Sequence, residues 1–222
     1  MISSASSFRP RLHPPSPWPA NILRFHITWP GTAHRPASME GLTLMRNGEL
    51  LYGACVDLTD ALWSSSRQRL SVIFHPALRK SGLRAAGRHS LMLMPGDHLS
   101  ISLTGGFCRG PSALFEVRIA EPVTEPLPSL DGKLITVARG TFEPINLNVG
   151  RALDQGGLET GFALGQSSDR DLRIVATVES SERGARITPS IPWPDSSVVL
   201  RAKPSLEDVC GNRVGVPFEM RR

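Results

Sequence analysis

The chain is short of the residues on which common catalytic and metal-binding motifs are built. Its three cysteines, Cys55, Cys108 and Cys210, contain no C-x-x-C pair, which excludes the spacing of a zinc knuckle and a dense disulfide framework. An odd number leaves at least one thiol unpaired. For the rest, the sequence allows small buried apolar cysteines or a Cys55–Cys108 bridge between two sheets. The six histidines, His13, His26, His34, His75, His89 and His98, all fall in the first part of the chain, with no H-x-H or H-x-x-x-H spacing. The second part therefore has no His-dependent triad or zinc site of its own. His26 and His98 read as outward-pointing strand residues, and His75 as a strand-end residue before Pro76. No G-x-S-x-G elbow, G-x-x-x-x-G-K-[ST] loop or G-x-G-x-x-G turn occurs, so the pairs Gly105-Gly106 and Gly156-Gly157 read as loop glycines. Lysine is nearly absent, being confined to Lys80, Lys133 and Lys203, and the arginines are scattered. Trp18, Trp29, Trp63, Trp193 and the single Tyr52 lie far apart in sequence. The formal charge of +5 thus reads as solvated surface, with no nucleic acid as partner. No apolar run approaches the roughly 18 to 20 residues of a membrane span, so no membrane span is expected. The Pro- and Ser-rich residues 1–20 lack the apolar stretch of a signal peptide and read as a disordered leader.

What the chain does have is alternation. Leu23, Phe25, Ile27 and Trp29 alternate with Arg24, His26 and Thr28, the period-two pattern of a half-buried strand. Residues 42–45 and 50–56 flank Asn47-Gly48, a pair that favours the type I′ turn whose twist suits a hairpin. Residues 69–74, 98–103 and 115–119 repeat the alternation. Residues 77–88 read as one short helical turn. Residues 121–131 bring three prolines and two glutamates and break every period, so the linker is placed at 121–132. Beyond it, strands are expected at 134–138, 145–149, 172–178, 186–191, 198–202 and 216–220. Strands separated by Gly, Pro, Asn and Asp, with hardly any helical period, indicate an all-β chain with one β-sandwich at 21–120 and a second at 133–222.

The last segment is the most specific. Asp208 is placed to bond to nearby backbone N–H groups, while Gly211 and Asn212 tolerate positive φ. Together they predict a tight structural turn before a final strand with Val214, Val216, Phe218 and Met220 on one face. Two acidic pairs, Asp57 with Asp60 and Asp169 with Asp171, read as turn-capping groups or as partial calcium ligands, neither pair supplying a full oxygen shell. Glu207 and Asp208 are adjacent and do not form a glycosidase pair. No catalytic residue, metal ligand or cofactor is assigned. Trp29 and Trp63 have two readings, packing residues or a binding platform.

Several separated segments carry a family resemblance. These are residues 21–25, Leu62-Trp63, Arg69-Leu70, residues 74–76 and 79–83, and the ending Leu206-Glu207-Asp208, Gly211-Asn212-Arg213-Val214-Gly215 and Pro217-Phe218. In this order they resemble uncharacterised bacterial proteins with two tandem Ig-like domains of the S-layer type. The chain departs from that pattern at Thr28-Trp29-Pro30-Gly31 and at Gly105-Gly106-Phe107-Cys108. The resemblance implies two Ig-like sandwiches in a non-catalytic structural or protein-binding module of the periplasm or cell surface, whose partner is a protein or surface polymer. The alternatives are a carbohydrate- or calcium-binding accessory module and an enzyme with an unrecognised site.

Overall fold

A computed structural model describes residues 9–31, 39–56, 62–75, 93–108, 112–166, 173–194 and 197–218. The helical turn expected at 77–88, the acidic pairs at 57–60 and 169–171, and Met220 lie outside the described residues. The chain divides into two compact units, Met1–Val123 and Thr124–Arg222. Both are built from strands, and the fold is all-β.

In the first unit the strands are β1 (Arg11–His13), β2 (Trp18–Pro19), β3 (Arg24–Thr28), β4 (Leu42–Arg46), β5 (Glu49–Leu50), β6 (Arg69–Ile73), β7 (His98–Leu103) and β8 (Ala113–Ala120). They form a three-stranded sheet in the order β1-β3-β6 and a five-stranded sheet in the order β2-β8-β7-β4-β5. The period-two pattern directs Phe25, Ile27, Leu70, Val72 and Phe74 of one sheet, and Leu44, Leu99, Ile101, Leu103, Val117 and Ile119 of the other, into the interior. Asn47 (φ 51°) and Gly48 (φ 85°) make the tight β4–β5 turn, as the sequence requires. Asn47 is further tied down by its side chain, which donates to Asp97 and accepts from the His98 N–H.

Residues 9–20 correct the expectation of a disordered leader. β1 pairs antiparallel with β3, and β2 pairs parallel with β8. Trp18 is completely buried, its indole N–H donates to the Pro14 carbonyl at 2.7 Å, and its ring lies 4.9 Å from Phe25 and 6.3 Å from Phe74. Proline excludes a helix here but not a strand at a sheet edge, and burial of Trp18 fixes the segment. His26 also departs from its reading: it is buried at the centre of β3, with Nδ1 3.0 Å from Ser71 Oγ. The middle strand of its sheet is covered on both faces, whereas His98 is exposed as expected.

The expected linker is packed rather than free. Val123 exchanges two hydrogen bonds with the Asn21 side chain. Leu127 and Leu130 are buried in the core of the second unit, and Leu127 pairs with Val214. Leucines within the proline-rich run have core positions available, and burying them outweighs the lack of regular structure.

The second unit contains β9 (Leu134–Thr136), β10 (Ile145–Asn148), α1 (Gln155–Gly161), β11 (Phe162–Gln166), β12 (Arg173–Ile174), β13 (Ala176–Ser181), β14 (Gly184–Pro189) and β15 (Ser197–Ala202). Its sheets run β10-β14-β13 and β12-β11-β15-β9. Leu147 and Ile187 from the first, and Leu164, Val198 and Leu200 from the second, join Trp193 in one core. At Gly184 (φ 155°) a Cβ would land on the Leu147 carbonyl oxygen, so only glycine lets β10 and β14 approach this closely. α1 and β11 were not anticipated. Asp154 caps the helix by accepting from the Gly157 N–H at 2.7 Å.

Among the described residues 214–218 the expected final strand does not form. Gly215 (φ 69°) reverses the chain, and Arg213 and Val216 exchange backbone hydrogen bonds of 2.9 and 3.1 Å. Val216 is left exposed. A strand needs consecutive extended residues, and this turn interrupts them.

Candidate functional site

Of the sequence-singled residues, Asp208, Gly211 and Asn212 come together as a closed turn. Asp208 Oδ1 accepts from the N–H groups of Cys210 and Asn212, each at 2.9 Å, and Oδ2 accepts from the Asn212 side-chain amide at 2.9 Å. Gly211 donates to the Asp208 carbonyl at 2.9 Å, and Asn212 Oδ1 accepts from the Phe218 N–H. Asp208 is buried, and Arg151 approaches its Oδ2 at 3.5 Å. Burial pushes the Asp208 carboxyl above its ordinary 3.8, against the pull of the Asn212 and Cys210 hydrogen bonds and the Arg151 charge. Its oxygens are spent on backbone and side-chain donors, so this group builds the turn.

The two other candidates, Trp29 and Trp63, are far apart in sequence but stack with ring centroids 5.5 Å apart and planes inclined at 27°. Trp29 follows β3, and its N–H bonds to the Gln68 carbonyl at 2.8 Å. Trp63 pairs across to Leu70 at the start of β6. Both indoles are half-buried. Trp29 is locked in place, its Nε1–H donating to the Phe107 carbonyl at 3.1 Å. The indoles of Trp18 and Trp193 likewise donate to Pro14 and Glu143 carbonyls. Trp63 alone of the four has an indole N–H with no acceptor among the described residues.

Between Trp63 and β6 the chain forms a polar loop, which sequence reasoning did not single out. Ser64 accepts from the N–H groups of Arg67 and, through its hydroxyl, of Arg69, and donates its own N–H to the Arg69 carbonyl. Ser65, Ser66, Arg67 and Gln68 are exposed. Arg67 has φ 54°, a conformation that costs a non-glycine residue energy and is held here by the surrounding bonds. Its guanidinium has no partner among the described residues. The available sequence signal is the polar run Ser-Ser-Ser-Arg-Gln directly after a tryptophan.

All three cysteines are free thiols. Cys55 pairs with Phe74 beside Leu23, whereas Cys108 follows Phe107 beside Trp29. These are opposite ends of β3, a span of roughly 16 Å for such a strand, which rules out the bridge. Burial pushes the Cys55 thiol up to about 12, so it is unreactive at neutral pH. Among the described residues no group of three or more His, Cys, Asp or Glu side chains is arranged to hold a metal ion. No helix among them is long and apolar enough to cross a membrane. Comparisons with protein-family models and with curated proteins gave no match.

Proposed function

We propose that the chain is a non-catalytic binding module of two tandem Ig-like β-sandwiches, acting in the bacterial cell envelope by engaging a protein or a surface polymer. The observation that carries this reading is the half-buried Trp29–Trp63 stack, one ring locked and the other with no acceptor for its N–H among the described residues, at the edge of a polar loop. Rigid aromatics with a polar tip supply contact area at low entropic cost, which is why they concentrate in binding surfaces.

The Ig-like part draws support from strand order in the first unit. The last two strands, β7 and β8, lie beside β4 in one sheet, while β3 and β6 share the other, the division of C, F and G from B and E in an Ig sandwich. The non-catalytic part draws support from Asp208 and Asp154, buried carboxylates committed to backbone donors. The envelope assignment rests on the resemblance of the terminal turn and its companion segments to exported Ig-like proteins. The second reading, a carbohydrate-binding accessory module, is favoured by the same tryptophan pair.

Fractionation of the source cells, with the native N-terminus mapped by mass spectrometry, tests the compartment. Recovery with the envelope is the expected outcome, and recovery only from the cytosol would overturn the envelope assignment.

A further inference from the structure

Resting on the binding-module reading, we infer that the Trp63–Gln68 loop is a subsite for a carboxylate-bearing pyranose polymer, that is, an acidic polysaccharide strand. Three features of one loop combine. Trp63 is backed by the locked Trp29 and is half-exposed, so it offers a rigid aromatic surface against which the C–H face of a sugar ring packs. Its indole N–H is available to a hydroxyl oxygen. Arg67 is exposed, and its guanidinium has no partner among the described residues; its planar fork matches a carboxylate with two parallel hydrogen bonds.

The exposed Ser65 and Gln68 supply short donors and acceptors suited to a ligand rich in hydroxyls. The loop is preorganised: Ser64 bonds to Arg67 and Arg69, and Gln68 bonds to Trp29. Arg67 is held at φ 54°, an unfavourable conformation of the kind that clusters at ligand clamps. Nucleic acid is the other polyanion that stacks on aromatics, but a strand of bases calls for successive stacking platforms along a basic groove. Here a single loop carries one tryptophan, one arginine and several neutral polar groups.

The test is titration of the full chain, followed by tryptophan fluorescence and affinity electrophoresis. The ligands are polygalacturonate, the same polymer with its carboxyls methyl-esterified, and single-stranded DNA. Polygalacturonate should shift the fluorescence and retard the protein, and the esterified polymer should bind about tenfold more weakly or less. Arg67→Ala, at an exposed loop position, should weaken polygalacturonate binding by about tenfold and abolish the preference for the charged polymer. Trp63→Ala should remove the fluorescence response, and Trp63→Phe, which keeps a ring on Trp29, should retain part of the affinity.

Equal binding of both polymers, unchanged binding by Arg67→Ala, tighter binding of DNA, or no binding of polygalacturonate would each overturn the ligand assignment. A chain recovered with the envelope that ignores acidic polymers would leave the binding-module reading standing and turn it toward a protein partner.

Discussion

At the scale of single residues, Asp208 shows how a carboxylate is used for architecture. It receives donors from Cys210, Asn212 and Arg151, so Asp208→Ala leaves the buried Cys210 and Asn212 N–H groups without their acceptor. We expect a loss of roughly 3 kcal/mol or more in the second unit, measured by denaturant unfolding. The pH dependence has a definite sign. Burial raises the folded-state pKa above the ordinary 3.8, so the folded chain holds this proton more firmly than the unfolded chain. The contribution is fully present below 3.8 and is lost as pH rises through the raised value. Asp208→Asn has no proton to lose, and its stability curve should lack the decline that the wild type shows as pH rises above 3.8. A decline of equal size in both proteins would assign it to other groups.

At the scale of elements, Gln155 closes an otherwise open sheet edge. Its side chain accepts from the Ser180 N–H at 2.6 Å and donates to the Val178 carbonyl at 2.9 Å, so α1 occupies the outer side of β13 much as a strand would. Gln155→Leu keeps the bulk but removes both bonds. It should cost about 2 kcal/mol and promote association through β13, read by thermal unfolding and light scattering. The strands β3, β4, β6, β7, β8, β10, β14 and β15 were legible because each follows the period-two rule or flanks a turn pair such as Asn47-Gly48. α1 was not, because Gly156, Gly157 and Gly161 carry no helical propensity. It persists through the Asp154 cap and the burial of Leu158, Gln155 and Gly161. The final strand was over-read for the opposite reason: Val214 and Val216 alternate, but Gly215 between them takes a positive φ. Residues 9–20 were under-read because proline content masks the one buried residue, Trp18, that anchors them.

At the scale of the whole molecule, each unit has its own core, centred on Trp18 and the Phe25–Phe74 pair in the first and on Trp193 in the second. Trp18→Ala should destabilise the first unit, and Trp193→Ala the second, each by about 3 to 5 kcal/mol, with a lower transition temperature for that unit. Calorimetry of the full chain resolves which transition moves. The candidate site was only half legible. Trp29 and Trp63 could be named from the sequence, but their stacking depends on pairing between the end of β3 and the segment before β6. Arg67 could not, since nothing in the sequence marks its positive-φ backbone conformation. The central claim is that the chain makes contact through this loop. Oxidative footprinting by mass spectrometry, with and without envelope material from the source cells, tests it most directly. The account predicts that Trp63 becomes protected while Tyr52, 72% exposed, and Phe142, 58% exposed, remain as reactive as before. Unchanged oxidation of Trp63 together with protection elsewhere would contradict it.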